Sequence, residues 1–117
     1  MAEVPLAGEV VLDGWRLRRR RASDAESLWS ACLPAEAAVT VRPWRAGDRM
    51  GAVGRQAARR VKRFLADARI AKHARPGWPV VLVDGEIVWI PGVRRSDAAT
   101  DRPGRPGVHY LCERIDG

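Results

Sequence analysis

The residues able to do chemistry lie between Arg42 and Arg75, and they are mostly guanidinium groups. The stretch RPWRAGDRMGAVGRQAARRVKRFLADARIAKHAR holds eleven of the 21 Lys and Arg but only two acids, Asp48 and Asp67. The rest of the 117-residue chain has ten bases and twelve acids, so the positive excess of a +7 protein sits in about a third of its length. Guanidinium forks match phosphate oxygens in charge and geometry. A pI near 10.9 asks for a polyanionic partner, nucleic acid before an anionic membrane. The bases expected to meet phosphate are Arg55, Arg59, Lys62 and Arg63, then Arg42, Arg45 and Arg49, with Arg75 behind them. A solvated basic face is the alternative, and the shortage of balancing acids favours contact. Asp48 reads as structural, a turn carboxylate bonding nearby amides or pairing with an arginine.

Other chemistries find no footing in the sequence. His73 and His109 stand apart from each other and from any ligand-spaced Cys or carboxylate. Cys32 and Cys112 form no CxxC pair and read as free, partly buried thiols. No Ser occupies a nucleophile elbow. Gly51-Ala52-Val53-Gly54 precedes a helical pattern but lacks the Gly-Lys-Ser/Thr ending of a nucleotide loop. Neither a catalytic centre, nor a metal site, nor a cofactor site is expected in this chain. No apolar run approaches a membrane span, no signal pattern opens the chain, and the expectation is a cytoplasmic protein.

The elements that must position the bases can be read from pattern. A share of 46% apolar residues supports one domain over residues 1–117 with a buried core. Residues 1–8 read as a loose lead-in. Glu9–Leu12 and Trp15–Arg21 form a hairpin about Asp13-Gly14, with Trp15 and Leu17 on the covered face. The run Arg18–Arg21 reads as a solvated edge that discourages strand aggregation. Leu28–Leu33 and Val39–Trp44 are further strands. The principal helix is expected from Gln56 to Ala68, with Ala57, Val61, Phe64, Leu65 and Ala68 on one stripe and Arg55, Arg59, Lys62 and Arg63 opposite. Val80–Val83 and Glu86–Ile90 form a second hairpin about Asp84-Gly85. Residues 97–107, with two Pro-Gly pairs, read as a mobile loop, and Val108–Ile115 is the last strand. The fold class is α+β, one amphipathic helix packed on a mostly antiparallel sheet. Trp44, Trp78 and Trp89 are able to stack on bases, but their setting in strand ends favours core packing.

Across 41–97 the chain resembles the C-terminal domain of the tRNA(Ile)-lysidine synthetase family. The resemblance is carried by Val-Arg-Pro-Trp-Arg-Ala-Gly-Asp-Arg at 41–49, Gly54, and Arg-Arg-Val-Lys at 59–62. It continues through Asp67-Ala68-Arg69-Ile70, Arg75, Trp78-Pro79, and Glu86-Ile87-Val88-Trp89-Ile90-Pro91-Gly92. Ala52 and Ala71 stand where the family tends to have Pro, a difference in loop stiffness. The resemblance implies a tRNA-binding module that contacts tRNA(Ile) toward the acceptor end. It also implies a parent enzyme whose N-terminal ATP-pyrophosphatase domain uses ATP and magnesium to attach lysine to the wobble cytidine. Two other readings stay open: a protein-interaction domain that docks the catalytic domain through the basic helix, and a nonspecific nucleic-acid binder. A membrane role is the weakest, because the nonpolar side of the helix is small.

Overall fold

Proline, glycine and β-branched residues divide this chain into many short strands. In the computed structural model the described residues are 3–6, 8–12, 14–20, 27–35, 37–51, 59–96, 99 and 107–115. The first strands are β1 (Val4–Pro5), β2 (Glu9–Leu12), β3 (Trp15–Arg19), β4 (Ser30–Pro34) and β5 (Val39–Pro43). Then come β6 (Arg49–Met50), β7 (Arg59–Arg60), the helix α1 (Val61–Asp67) and a 3-10 turn at Lys72–Ala74. The chain ends with β8 (Pro79–Val83), β9 (Glu86–Ile90), β10 (Arg94–Arg95) and β11 (Gly107–Arg114).

The strands form two sheets. The larger runs β1-β5-β8-β9-β6-β7, with β10 also on β9, and the smaller runs β2-β3-β11-β4. All pairings are antiparallel except the Met50–Ile87 contact of β6 with β9. The α+β reading with a mostly antiparallel sheet therefore holds in outline. β8 is buried from Pro79 to Leu82, as a continuous apolar run requires when both faces are covered. Its turn into β9 has positive φ at Asp84 (51°) and Gly85 (84°), the combination that matches strand twist in a two-residue hairpin. In the other hairpin, Leu12 faces Trp15 in register, and Trp15 and Leu17 are buried while Arg18 and Arg19 are exposed.

Two expectations need correction. Residues 1–8 are no loose lead-in throughout: Val4 and Pro5 pair with Val41 and Thr40, and Leu6 is buried. Short apolar residues beside an open sheet edge gain both hydrogen bonds and burial by joining it. The principal helix from Gln56 to Ala68 is the second. The helix runs only from Val61 to Asp67, and Arg60 before it is extended, with φ −67° and ψ 138°. Arg59 and Arg60 instead pair with Met50 and Arg49, so sheet hydrogen bonds take the residues that helical periodicity had claimed. Of the expected stripe, Val61, Phe64 and Leu65 are buried, Ala68 is exposed, and Ala57 lies outside the described residues. The loop 97–107 likewise lies outside them except for Ala99, which is buried, and Gly107, which opens β11.

Three tryptophans join the sheets. Trp15 of β3 lies 4.7 Å from Trp78 and 5.8 Å from Trp29, centroid to centroid. The Leu28 carbonyl accepts from Trp89 Nε1 at 2.9 Å and from the Gly92 amide at 2.8 Å. Trp78 Nε1 donates to the Pro91 carbonyl at 3.0 Å. The buried indole N–H groups of Trp78 and Trp89 thus have partners, which removes the penalty for burying them. Trp78 and Trp89 are core residues and Trp44 is half-buried against that core.

Candidate nucleic-acid interface

The exposed bases gather on the edge made by β6, β7 and α1. Arg49 and Arg60 are direct cross-strand partners, and both are exposed. Like charges placed so are unfavourable unless something anionic lies over them. Lys62 and Arg63 follow on the outer side of α1, also exposed. The helix presents them outward because Val61, Phe64 and Leu65, at i, i+3 and i+4, are held in the core. The first helical amide, that of Val61, donates to the Asp48 carbonyl at 2.8 Å, which ties the start of the helix to the preceding turn.

The C-terminus of α1 is closed by the backbone. The Ile70 amide donates to the Leu65 carbonyl and the Arg69 amide to that of Ala66, the paired bonds of a Schellman end. The left-handed position falls on Arg69, at φ 60°. That turn, with Lys72 in the 3-10 segment, adds two more exposed bases.

The residues expected to meet phosphate separate into three groups. Arg45, Arg49, Arg59, Lys62 and Arg63 are exposed, and Arg55 lies outside the described residues. Arg59 Nη2 is 2.8 Å from Asp67 Oδ2, so one acid of the segment partly neutralises it. Arg42 and Arg75 are instead tied into the scaffold. Arg42 is only 8% exposed and spends its fork on Asp48, because a buried charge needs a matched partner. Arg75 donates its Nε to the Ile70 carbonyl at 2.9 Å, and its own carbonyl accepts from Trp44 Nε1 at 2.8 Å. Asp48 has the structural role read for it. It accepts from Arg42 and from the Arg45 amide at 2.7 Å.

Sequence reasoning missed Arg60 and Arg94. Arg60 stands within Arg-Arg-Val-Lys at 59–62, beside Arg59. Arg94 had no local signal; only the fold brings it to α1, where its guanidinium carbon lies 5.7 Å from the Phe64 ring centroid. On the smaller sheet, Glu113 answers two of the bases. Glu113 Oε1 accepts from Arg18 Nε at 2.6 Å and from Arg16 Nη2 at 3.2 Å. The hydrogen bond from Arg18, aided by the charges of both arginines, holds the Glu113 carboxyl below the usual range.

Comparison with known proteins bears on the fold and the family. The family model described as the TilS substrate C-terminal domain matches residues 39–112. A tRNA(Ile)-lysidine synthase of Bacillus subtilis is 37% identical over 59 residues, half of this chain and 12% of the relative. That of Geobacillus kaustophilus is 35% identical over 86 residues, 71% of this chain and 18% of the relative. The chain thus spans under a fifth of the length of these relatives. A crystal structure of a TilS C-terminal domain superposes with a TM-score of 0.81 over 99% of this chain and 98% of the other, at 20% identity. The fold is shared, the family model covers well over half of the sequence, and the chain belongs to the TilS substrate C-terminal domain family.

Proposed function

We propose that this chain is the tRNA-gripping module of a cytoplasmic tRNA(Ile)-lysidine synthase, holding tRNA(Ile) toward its acceptor end. The observation that carries the reading is the β6–β7–α1 edge, where Arg49, Arg59, Arg60, Lys62 and Arg63 are exposed and Asp67 is the one acid ion-paired to any of them among the described residues. An RNA duplex offers a regular line of phosphates, and proteins recognise it mainly by shape and backbone. Several bases fixed on short strands and one helical turn match such a line better than a base-reading pocket. Membership of a family whose relatives are named tRNA(Ile)-lysidine synthases supports the choice of partner.

Activation of the wobble cytidine and attachment of lysine would belong to the ATP-pyrophosphatase domain of the parent enzyme, together with ATP and magnesium. The role proposed for this chain is positional, supplying affinity remote from the reacting base.

Binding of a tRNA(Ile) transcript, followed at increasing salt, tests the reading. The logarithm of the association constant should fall steeply and linearly with the logarithm of salt, as release of several counterions requires. Lys62→Glu with Arg63→Glu should abolish binding without unfolding the chain. Absence of binding by the unmodified chain at low salt would refute the proposal. Binding by the catalytic domain in trans, lost in the same variant, would instead identify the edge as a docking face.

A further inference from the structure

Phe64 is almost covered, at 4% exposure, and two guanidinium groups share its ring. The Cζ of Arg59, from β7, lies 5.0 Å from the centroid, and that of Arg94, from β10, lies 5.7 Å from it. Each cation is attracted by the ring quadrupole, yet the two repel one another. Asp67 answers one of them, through its 2.8 Å bond to Arg59 Nη2. No ion pair is formed by Arg94 among the described residues. The cluster therefore holds two positive charges against one negative, and its single acid side chain is 55% exposed. A phosphodiester has one negative charge and two unesterified oxygens, so it can accept from two guanidinium donors at once. The Arg49–Arg60 pair carries further positive charge at the same sheet edge, on the face of β7 opposite to Arg59.

We infer that Arg59 and Arg94, gathered on Phe64, form a two-guanidinium seat for one backbone phosphate of the bound RNA, and that Asp67 is a positioning residue holding Arg59 until the phosphate displaces it. This rests on the RNA-binding reading above and adds to it a residue from outside the basic segment, together with an internal competitor. The seat reads no base, so it serves all tRNA sequences alike.

The test uses the whole chain and fluorescently labelled tRNA(Ile), with an unrelated tRNA beside it, titrated by anisotropy at several salt concentrations. Arg59→Gln and Arg94→Gln should each weaken both tRNAs to the same extent and make the salt slope shallower, by up to about one unit. The double variant should lose less than the product of the two single losses, because the two side chains share one phosphate. Asp67→Asn should tighten binding at least about twofold by removing the competing anion, an effect that a purely structural role would not produce. Melting curves check folding, and Arg94→Lys, which keeps the charge, should recover part of the affinity. Losses that multiply, or an Asp67→Asn variant that binds no tighter, would overturn the shared seat. So would unchanged binding in Arg94→Gln while Lys62→Glu with Arg63→Glu abolishes it, and the broader RNA-binding reading would then survive. No binding by the unmodified chain at about 50 mM salt would overturn both.

Discussion

Arg42 lays both Nη atoms on the Asp48 carboxylate, Nη1 to Oδ2 at 2.8 Å and Nη2 to Oδ1 at 2.9 Å. The pair is shielded on both sides, with side-chain exposures of 10% and 12%. It also organises the turn before the basic edge. The carboxylate takes the Arg45 amide, and the Asp48 carbonyl takes the first amide of the helix. An arginine that composition places among the RNA-binding candidates is thus a fixture of the scaffold that presents the others.

Removing one member of this pair should be costly. Asp48→Ala leaves the buried Arg42 guanidinium without its bidentate partner, and a loss of about 3 kcal/mol is expected. Denaturant unfolding would measure it; a change within about 0.5 kcal/mol would mean that water replaces the carboxylate. The pH dependence follows the same bond. Burial pushes the Asp48 carboxyl up, but the Arg42 hydrogen bond, the Arg45 amide and the nearby charges together bring it below its ordinary 3.8. A depressed folded value stabilises above the unfolded pKa and ceases to do so as pH falls through the folded one. Stability should therefore decline below about pH 4, and the Asp48 contribution to that decline should vanish in Asp48→Asn.

Gly92→Ala should weaken the seam between the sheets. Gly92 has φ 76°, and a Cβ there would come within 2.5 Å of the Trp29 ring carbons Cη2 and Cζ2. The left-handed backbone costs an L-residue about 1 kcal/mol, and forcing an indole aside adds about 1–3 kcal/mol. Thermal melting followed by tryptophan fluorescence should show a lower midpoint. An unchanged midpoint would mean that Trp29, exposed at 38%, swings away freely.

Cys112 should be silent toward alkylating reagents in the native state. Burial, with a smaller contribution from the Glu113 charge, pushes its thiol up to about 12. The thiolate is the reactive form, so at pH 8 the folded protein offers almost none. Iodoacetamide labelling followed by mass spectrometry should modify this residue only at the rate of unfolding. Fast labelling under native conditions would contradict the buried environment.

The strands were readable where their signal is local. Asp84-Gly85 between apolar runs specifies its hairpin, because only a residue pair tolerant of positive φ fits the turn. Alternation in β3 sends Trp15 and Leu17 inward. The helix was harder. The spacing of Val61, Phe64 and Leu65 identified its buried face, but nothing local told that Arg59 and Arg60 would pair with Arg49 and Met50. The individual fates of the arginines were least legible, since identical side chains in one basic segment end up buried, latched to a carbonyl or exposed.

Charge and motif, read along the chain, determined that one segment carries the positive excess, that its turn depends on Asp48, and which family the chain resembles. Those properties depend on composition and short-range geometry. Only the tertiary structure decided that Arg42 pairs with Asp48, that Arg75 donates to the Ile70 carbonyl, and that Arg59 and Arg94 both lie against the Phe64 ring. Burial and long-range neighbours set the partner of each guanidinium, and no residue's near sequence contains that information.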